Sequence, residues 1–175
     1  MGKNIILIGF MGTGKTSIGS RLSQKLKMNF VDMDREIEKL LGIDMVRIFK
    51  VYGEKRLRSE ETLLLRKLAG QDKNVIATGG GLLLNDVNRE VIRRAGVLVR
   101  LIAEPHEIWE RIQRKKVKRP MLAKIRDIDE MIKIMSDTEK DYEIADINIE
   151  TSGKDLDVIV NEIISALYAS DFADN

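Results

Sequence analysis

The chain has 175 residues, no cysteine, and 30 basic against 28 acidic side chains, a formal net charge of +2. A domain of this length buries roughly 70% of its extended-chain surface in one core, so it needs no staple, and without Cys neither a disulfide framework nor a thiolate site can form. The near-balance of charge carries no nucleic-acid or membrane footprint, no apolar run approaches the about 20 residues of a bilayer span, and the lack of a signal-peptide cleavage pattern fits a cytoplasmic location.

The first apolar run, residues 4–8, predicts a strand. It leads directly into residues 9–16, GFMGTGKT, a complete G-x-x-x-x-G-K-[ST] loop. Gly9, Gly12 and Gly14 let the backbone turn tightly, so that the N–H groups from Gly12 through Thr13, Gly14, Lys15, Thr16 and Ser17 converge on a polyphosphate without Cβ atoms in the way. Lys15 is placed to reach the β- and γ-phosphates, and the Thr16 hydroxyl to ligate Mg²⁺. A helix predicted over 15–27, with Ile18, Leu22 and Leu26 recurring every four positions, adds the positive end of its dipole. Strand, loop and helix thus follow in the order that nucleotide binding requires.

A second strand over 29–31 delivers Asp32 and Asp34 as the chain enters a helix. Mg²⁺ in phosphoryl-transfer sites keeps several waters, so one carboxylate completes its shell beside Thr16 and the phosphates. Asp32 is expected in that role, leaving Asp34 to orient and deprotonate an attacking hydroxyl. The plainer alternative is that both acids cap the following helix. Arg56 and Arg58 then precede a helical pattern over 60–68 that contains Glu61. Arg58 suits a planar carboxylate, with Glu61 holding its guanidinium; an exposed, charged helix start is the competing reading.

The third strand, 74–77, ends in Thr78 and the glycines Gly79, Gly80 and Gly81. It supplies no acid, which returns the metal role to Asp32. Three glycines let a small ligand approach the backbone closely, against the alternative of a plain loop before a helix over 85–94. A fourth strand over 96–102 precedes a helix over 105–114, where His106 and Trp109 read as structural. The basic stretch 111–119, RIQRKKVKR, interrupts the pattern before the next helix, at 128–135. A lid closing over phosphates, with Arg119 reaching the transferring group, fits that position; a solvated loop and a nucleic-acid patch are the alternatives. A fifth strand over 146–149 and a helix over 156–167, striped by Leu156, Val160, Ile163 and Leu167, close the chain. The βαβ alternation predicts an α/β fold, a parallel sheet covered by helices on both faces, with ligands beyond the carboxyl ends of the strands.

Together GFMGTGKT with Gly19, the DMD of 32–34, the LRxxE of 57–61, ATGGG and the RPML of 119–122 resemble the shikimate kinase family over nearly the whole chain. The resemblance implies a P-loop NTPase fold of nucleoside monophosphate kinase type with a five-stranded parallel sheet and a lid. It implies a single kinase domain over 1–175, with a substrate region at about 32–62 and a lid at about 112–126. The implied activity is Mg²⁺-dependent transfer of the ATP γ-phosphate to the 3-hydroxyl of shikimate, in aromatic amino-acid biosynthesis, by a monomer. Asp34, Arg58, Gly79, Gly80 and Gly81 would then hold shikimate, Thr16 and Asp32 would serve the metal, Arg119 would close over the phosphates, and Arg111 would lie on the adenine side. Two positions depart from the family pattern: Leu57 stands in place of a phenylalanine, and Thr138, four residues before Tyr142, in place of a carboxylate-binding arginine, with Lys140 nearby. The second departure keeps open a related kinase acting on another hydroxylated carboxylate or polyol. A nucleotide-gated interaction protein is the non-enzyme alternative.

Overall fold

Alternating strand faces divide the hydrophobic residues into two cores. In β1 (Asn4–Ile8), Ile6 and Ile8 face one side while Ile5 and Leu7 face the other, and every residue of the strand is buried. Such a strand must lie centrally with both faces covered. It pairs in parallel with β3 (Asn74–Ala77) on one side and β4 (Gly96–Ile102) on the other; β2 (Asn29–Asp32) and β5 (Ile147–Glu150) form the edges, giving the order β2-β3-β1-β4-β5. The computed structural model describes residues 3–114 and 125–170. The expected five-stranded parallel sheet is present.

Helices α1 (Lys15–Leu26) and α7 (Leu156–Ala169) cover one face, setting Ile18, Leu22, Ile159, Val160, Ile163 and Leu167 against Ile5, Leu7, Val99 and Ile149. Leu156, expected to begin the α7 stripe, is exposed, and Ile159 joins Val160 at the inner face instead. The other face is covered by α2 (Met33–Leu41), α3 (Met45–Ala69) and α4 (Asp86–Ala95). A third cluster gathers Phe10 and Met11 of the glycine-rich loop, Ile108 of α5 (Pro105–Arg114) and Met131 of α6 (Ile128–Thr138). Trp109 packs at the margin of this cluster, which makes it a packing residue, whereas His106 is exposed.

Most helix ends shift by one to three residues from the sequence reading, and three further differences matter more. The second strand runs one residue further, to Asp32, and the fifth spans 147–150 rather than 146–149. The pattern over 60–68 is the second half of a much longer element. Here α3 begins at Met45, capped by Asp44, whose carboxylate accepts the Arg47 amide at 2.8 Å. At Gly53 the backbone leaves helical geometry, with φ 78° and ψ 171°. A glycine tolerates that conformation, so the helix is broken there without ending. The break also hides the element from a search for unbroken 3.6-residue periodicity.

Candidate active site

In a parallel sheet all strands point the same way, so the segments that leave their carboxyl ends share one rim. After β1 comes the phosphate loop, in which Gly12 and Gly14 adopt φ of 83° and 100°. Thr13 is buried and its hydroxyl donates to the Phe10 carbonyl at 2.8 Å. The Lys15 ammonium, also buried, donates to the carbonyls of Gly9 at 2.6 Å and Phe10 at 2.8 Å, drawing the lysine across the loop it follows. Gly14 caps α1, so the helix N-terminus opens into the loop. Ser17 lies exposed in the first turn.

At the end of β2, the two oxygens of Asp32 have separate partners. One carboxylate oxygen accepts the Thr16 hydroxyl at 2.6 Å, and the other accepts the Arg35 amide at 3.2 Å, capping α2. Two hard oxygen donors therefore stand together beside the loop, a set that suits Mg²⁺ completed by phosphate oxygens and water. Among the described residues there is no group of three or more His, Cys, Asp or Glu that could hold a metal ion. Asp34, in the first turn of α2, is displaced from this pair toward β3.

After β3, Thr78 is fastened to β1, its amide and hydroxyl both donating to the Leu7 carbonyl at 3.2 and 2.9 Å. The glycines that follow lie against charged side chains. A Cβ at Gly79 would lie 2.8 Å from an Asp34 carboxylate oxygen and 3.0 Å from one of Glu61, and a Cβ at Gly81 would lie 2.5 Å from the Arg58 guanidinium nitrogens. At Gly80 the nearest atoms are those of Met11, at 3.8 Å. Gly79 and Gly81 thus let Asp34, Glu61 and Arg58 close upon the rim.

Arg58 Nη1 donates to both Glu61 oxygens, at 3.0 and 2.8 Å, while Nη2 reaches Glu54 at 3.2 Å. Burial works against the charged guanidinium, yet Glu61 and then Glu54 outweigh it, so Arg58 holds its proton more tightly than an ordinary arginine. Arg56, by contrast, pairs with Glu60 at a largely exposed position and belongs to the solvated face. Burial also raises the Glu61 carboxyl above its ordinary 4.5, opposed by Arg58 and reinforced by the charge of Asp34. As pH rises through 4.5 the unfolded chain loses this proton first, so the folded state loses relative stability until Glu61 has also titrated. Glu61→Gln removes that slope. Urea denaturation at about pH 4 and about pH 7 is expected to show the variant gaining on the wild type as pH rises; a gap that is flat or reversed contradicts it.

On the other side of β1, α5 brings Arg111 to the phosphate loop, its Nη1 3.4 Å from the Gly12 carbonyl and its Nη2 2.6 Å from Glu107. Arg119 and most of the expected lid, residues 115–124, lie outside the described residues. Thr138 is the last residue of α6, and its hydroxyl bonds back to the carbonyls of Ile134 at 2.9 Å and Met135 at 3.1 Å. The 3-10 turn Glu139–Tyr142 follows it. There Lys140 is exposed, Asp141 is held by Arg89 at 2.6 Å, and Arg100 lies 5.2 Å over the Tyr142 ring. Burial pushes the Tyr142 phenol up to about 12, with Arg100 opposing.

A family model described as shikimate kinase matches residues 11–168. A shikimate kinase of Pelotomaculum thermopropionicum is 46% identical over 166 residues, covering 94% of this chain and 95% of the relative. The chain belongs to the shikimate kinase family. Among solved structures, a shikimate kinase from Acinetobacter baumannii in complex with shikimate superposes with a TM-score of 0.90 at 31% identity, covering 96% of this chain and 94% of that one. A gluconokinase from Sinorhizobium meliloti, at 17% identity and a TM-score of 0.60, shares the fold. The P-loop fold of nucleoside monophosphate kinase type expected for a shikimate kinase is therefore the fold of this chain, and the chain is an ATP-dependent kinase. The residues that sequence reasoning missed are Glu107 and Gly153, linked by a 2.9 Å hydrogen bond across a separation of 46 residues. No local signal joins them.

Proposed function

We propose that this chain transfers the γ-phosphoryl group of ATP to the 3-hydroxyl of shikimate, giving shikimate 3-phosphate and ADP. The observation that carries the reading is the meeting, beside the phosphate loop, of Asp34, Arg58 and the glycine backbone at 79–81. A hydroxylated carboxylate needs a proton acceptor, a planar cation and a wall without side chains, and these residues supply them.

The amides from Gly12 to Ser17 cradle the phosphates, and Lys15 exchanges its carbonyl partners in the loop for phosphate oxygens. Asp34 accepts the proton of the attacking hydroxyl as its oxygen bonds to the γ-phosphorus, the bond to the bridging oxygen breaks, and ADP leaves with the electron pair. Arg58, braced by Glu61, fixes the acceptor carboxylate. Mg²⁺, held by Thr16 and Asp32 with the phosphates, supplies charge neutralisation when bound. The role of Arg119 toward the transferring phosphate, with a lid at about 112–126, is taken from the family resemblance, and the substrate region is assigned to about 32–62 of a kinase domain. The enzyme acts as a cytoplasmic monomer without nucleic acid or membrane partners. Among the described residues no helix is long and apolar enough to cross a membrane.

A second reading, a kinase for another hydroxylated carboxylate or polyol, is favoured by Thr138, whose hydroxyl is engaged by its own helix, and by the exposure of Lys140. One assay separates the readings. ADP release is expected to require both shikimate and Mg²⁺. No turnover at millimolar shikimate rejects the first reading, and turnover only with a different hydroxylated acid establishes the second. ATP-dependent capture of a protein partner with no metabolite phosphorylated would point instead to a nucleotide-gated interaction protein.

A further inference from the structure

We infer that Glu107 is a positioning residue for the base end of the nucleotide, acting by tying Arg111 and the turn after β5 to the phosphate loop. The inference rests on the reading above, in which ATP donates to an acceptor held by Asp34 and Arg58. Strand order then fixes the direction of the donor. The acceptor residues leave β2 and β3, on one side of β1, and the phosphate loop leaves β1 itself. The γ-phosphate must face the acceptor, so the nucleoside extends the other way, over the segments that leave β4 and β5. Glu107, Arg111 and residues 151–154 stand there.

The two oxygens of Glu107 have separate partners. Oε1 accepts the Gly153 amide at 2.9 Å, and Oε2 accepts Arg111 Nη2 at 2.6 Å. Arg111 Nη1 in turn reaches the Gly12 carbonyl at 3.4 Å, a length at which that bond alone holds the guanidinium weakly. Glu107 is therefore the stronger anchor of Arg111. The turn it grips is itself fastened to the same end of the sheet. Thr151 donates through its amide and its hydroxyl to the Ile102 carbonyl, each at 2.8 Å, and the Glu104 amide donates to the Ser152 hydroxyl at 2.7 Å. Gly153 sits at φ 66° with nothing within 4 Å of where a Cβ would lie, so this side of the turn is open. Lys154 is turned away to Glu162 at 2.7 Å. One carboxylate thus fixes a planar cation and an open turn, the two surfaces between which an aromatic base can lie.

Glu107→Ala, Glu107→Gln and Arg111→Ala test this, with steady-state kinetics in both substrates and calorimetric titration of ATP and of inorganic tripolyphosphate. Glu107→Ala is expected to raise KM for ATP roughly tenfold, the scale of one charge-assisted contact, with kcat and the acceptor KM within about twofold. Tripolyphosphate, which lacks base and ribose, is expected to bind unchanged. Glu107→Gln keeps an acceptor for Gly153 and loses the charge on Arg111, so its effect falls between wild type and Ala. The double variant Glu107→Ala/Arg111→Ala is expected to be no worse than Arg111→Ala. If Arg111→Ala raises KM for ATP and Glu107→Ala does not, the inference fails while the site reading stands. Equal weakening of ATP and tripolyphosphate by Glu107→Ala also overturns it, since Glu107 would then only support the loop. If neither variant moves KM for ATP while the kinase still turns over, the placement of the nucleoside is wrong and the inference falls with it.

Discussion

Asp34→Asn is expected to lower kcat by about 10²–10⁴-fold while leaving ATP affinity unchanged, the range for losing a positioned general base. Asparagine keeps the shape of the side chain, so the packing of Gly79 against position 34 survives, and α2 retains its cap through Asp32. What is lost is a full negative charge able to take the hydroxyl proton. Because Asp34 and Glu61 both border Gly79, Glu61 is the natural candidate to substitute as base. Its engagement by Arg58 through both oxygens argues against that. Single-turnover measurement of ADP formation separates chemistry from product release; a loss under about tenfold would leave Asp34 a positioning group only.

Arg58→Ala is expected to have two effects that a single further change pulls apart. The acceptor loses its charge-assisted contact, raising its KM by about 10–150-fold. The fold also loses stability, because Glu61, with only 4% of its side chain exposed, is left without its cation. Breaking a buried pair costs about 3–5 kcal/mol, and the 19% exposure of Arg58 puts this one toward the lower end. For a chain of this size a loss of about 3 kcal/mol lowers Tm by roughly 6–12 °C. The deficit has a pH signature. It disappears below the ordinary glutamate value of 4.5, where Glu61 is protonated in both folded and unfolded states, and grows as pH rises. Arg58→Ala/Glu61→Gln is expected to regain most of the stability at neutral pH and none of the acceptor affinity. Thermal melts alongside acceptor titrations check both halves, and a double variant as unstable as Arg58→Ala contradicts the buried-charge account.

The sheet was legible because each strand is a short apolar run and the phosphate loop declares itself within eight residues, so local pattern sufficed. Its positions, Lys15 and Thr16 above all, needed no knowledge of distant contacts. Helix α2 was anticipated after Asp32 but without an end, and the first half of α3 was not read, since Gly42 and Gly53 break the periodicity into pieces too short to stand out. Asp32 was read as either a cap or a metal ligand, when its two oxygens serve a helix amide and the Thr16 hydroxyl separately. Arg58 and Arg56 look alike in sequence and part company only because one side of the helix turns its charge inward, to Glu61. Glu107 could not be found at all. Its meaning comes from Gly153, and that of Arg111 from Gly12, 99 positions away.

The glycines at 79, 80 and 81 are identical letters with unequal histories ahead of them. A methyl group arriving at 80 meets Met11 at ordinary contact distance, so random change can enter there without disturbing a charge. At 79 and 81 the same methyl must displace a carboxylate or a guanidinium that the chain supplies from elsewhere. Those two positions are governed by side chains they do not carry, so a change at either is felt first at the charged ends of residues 34, 58 and 61.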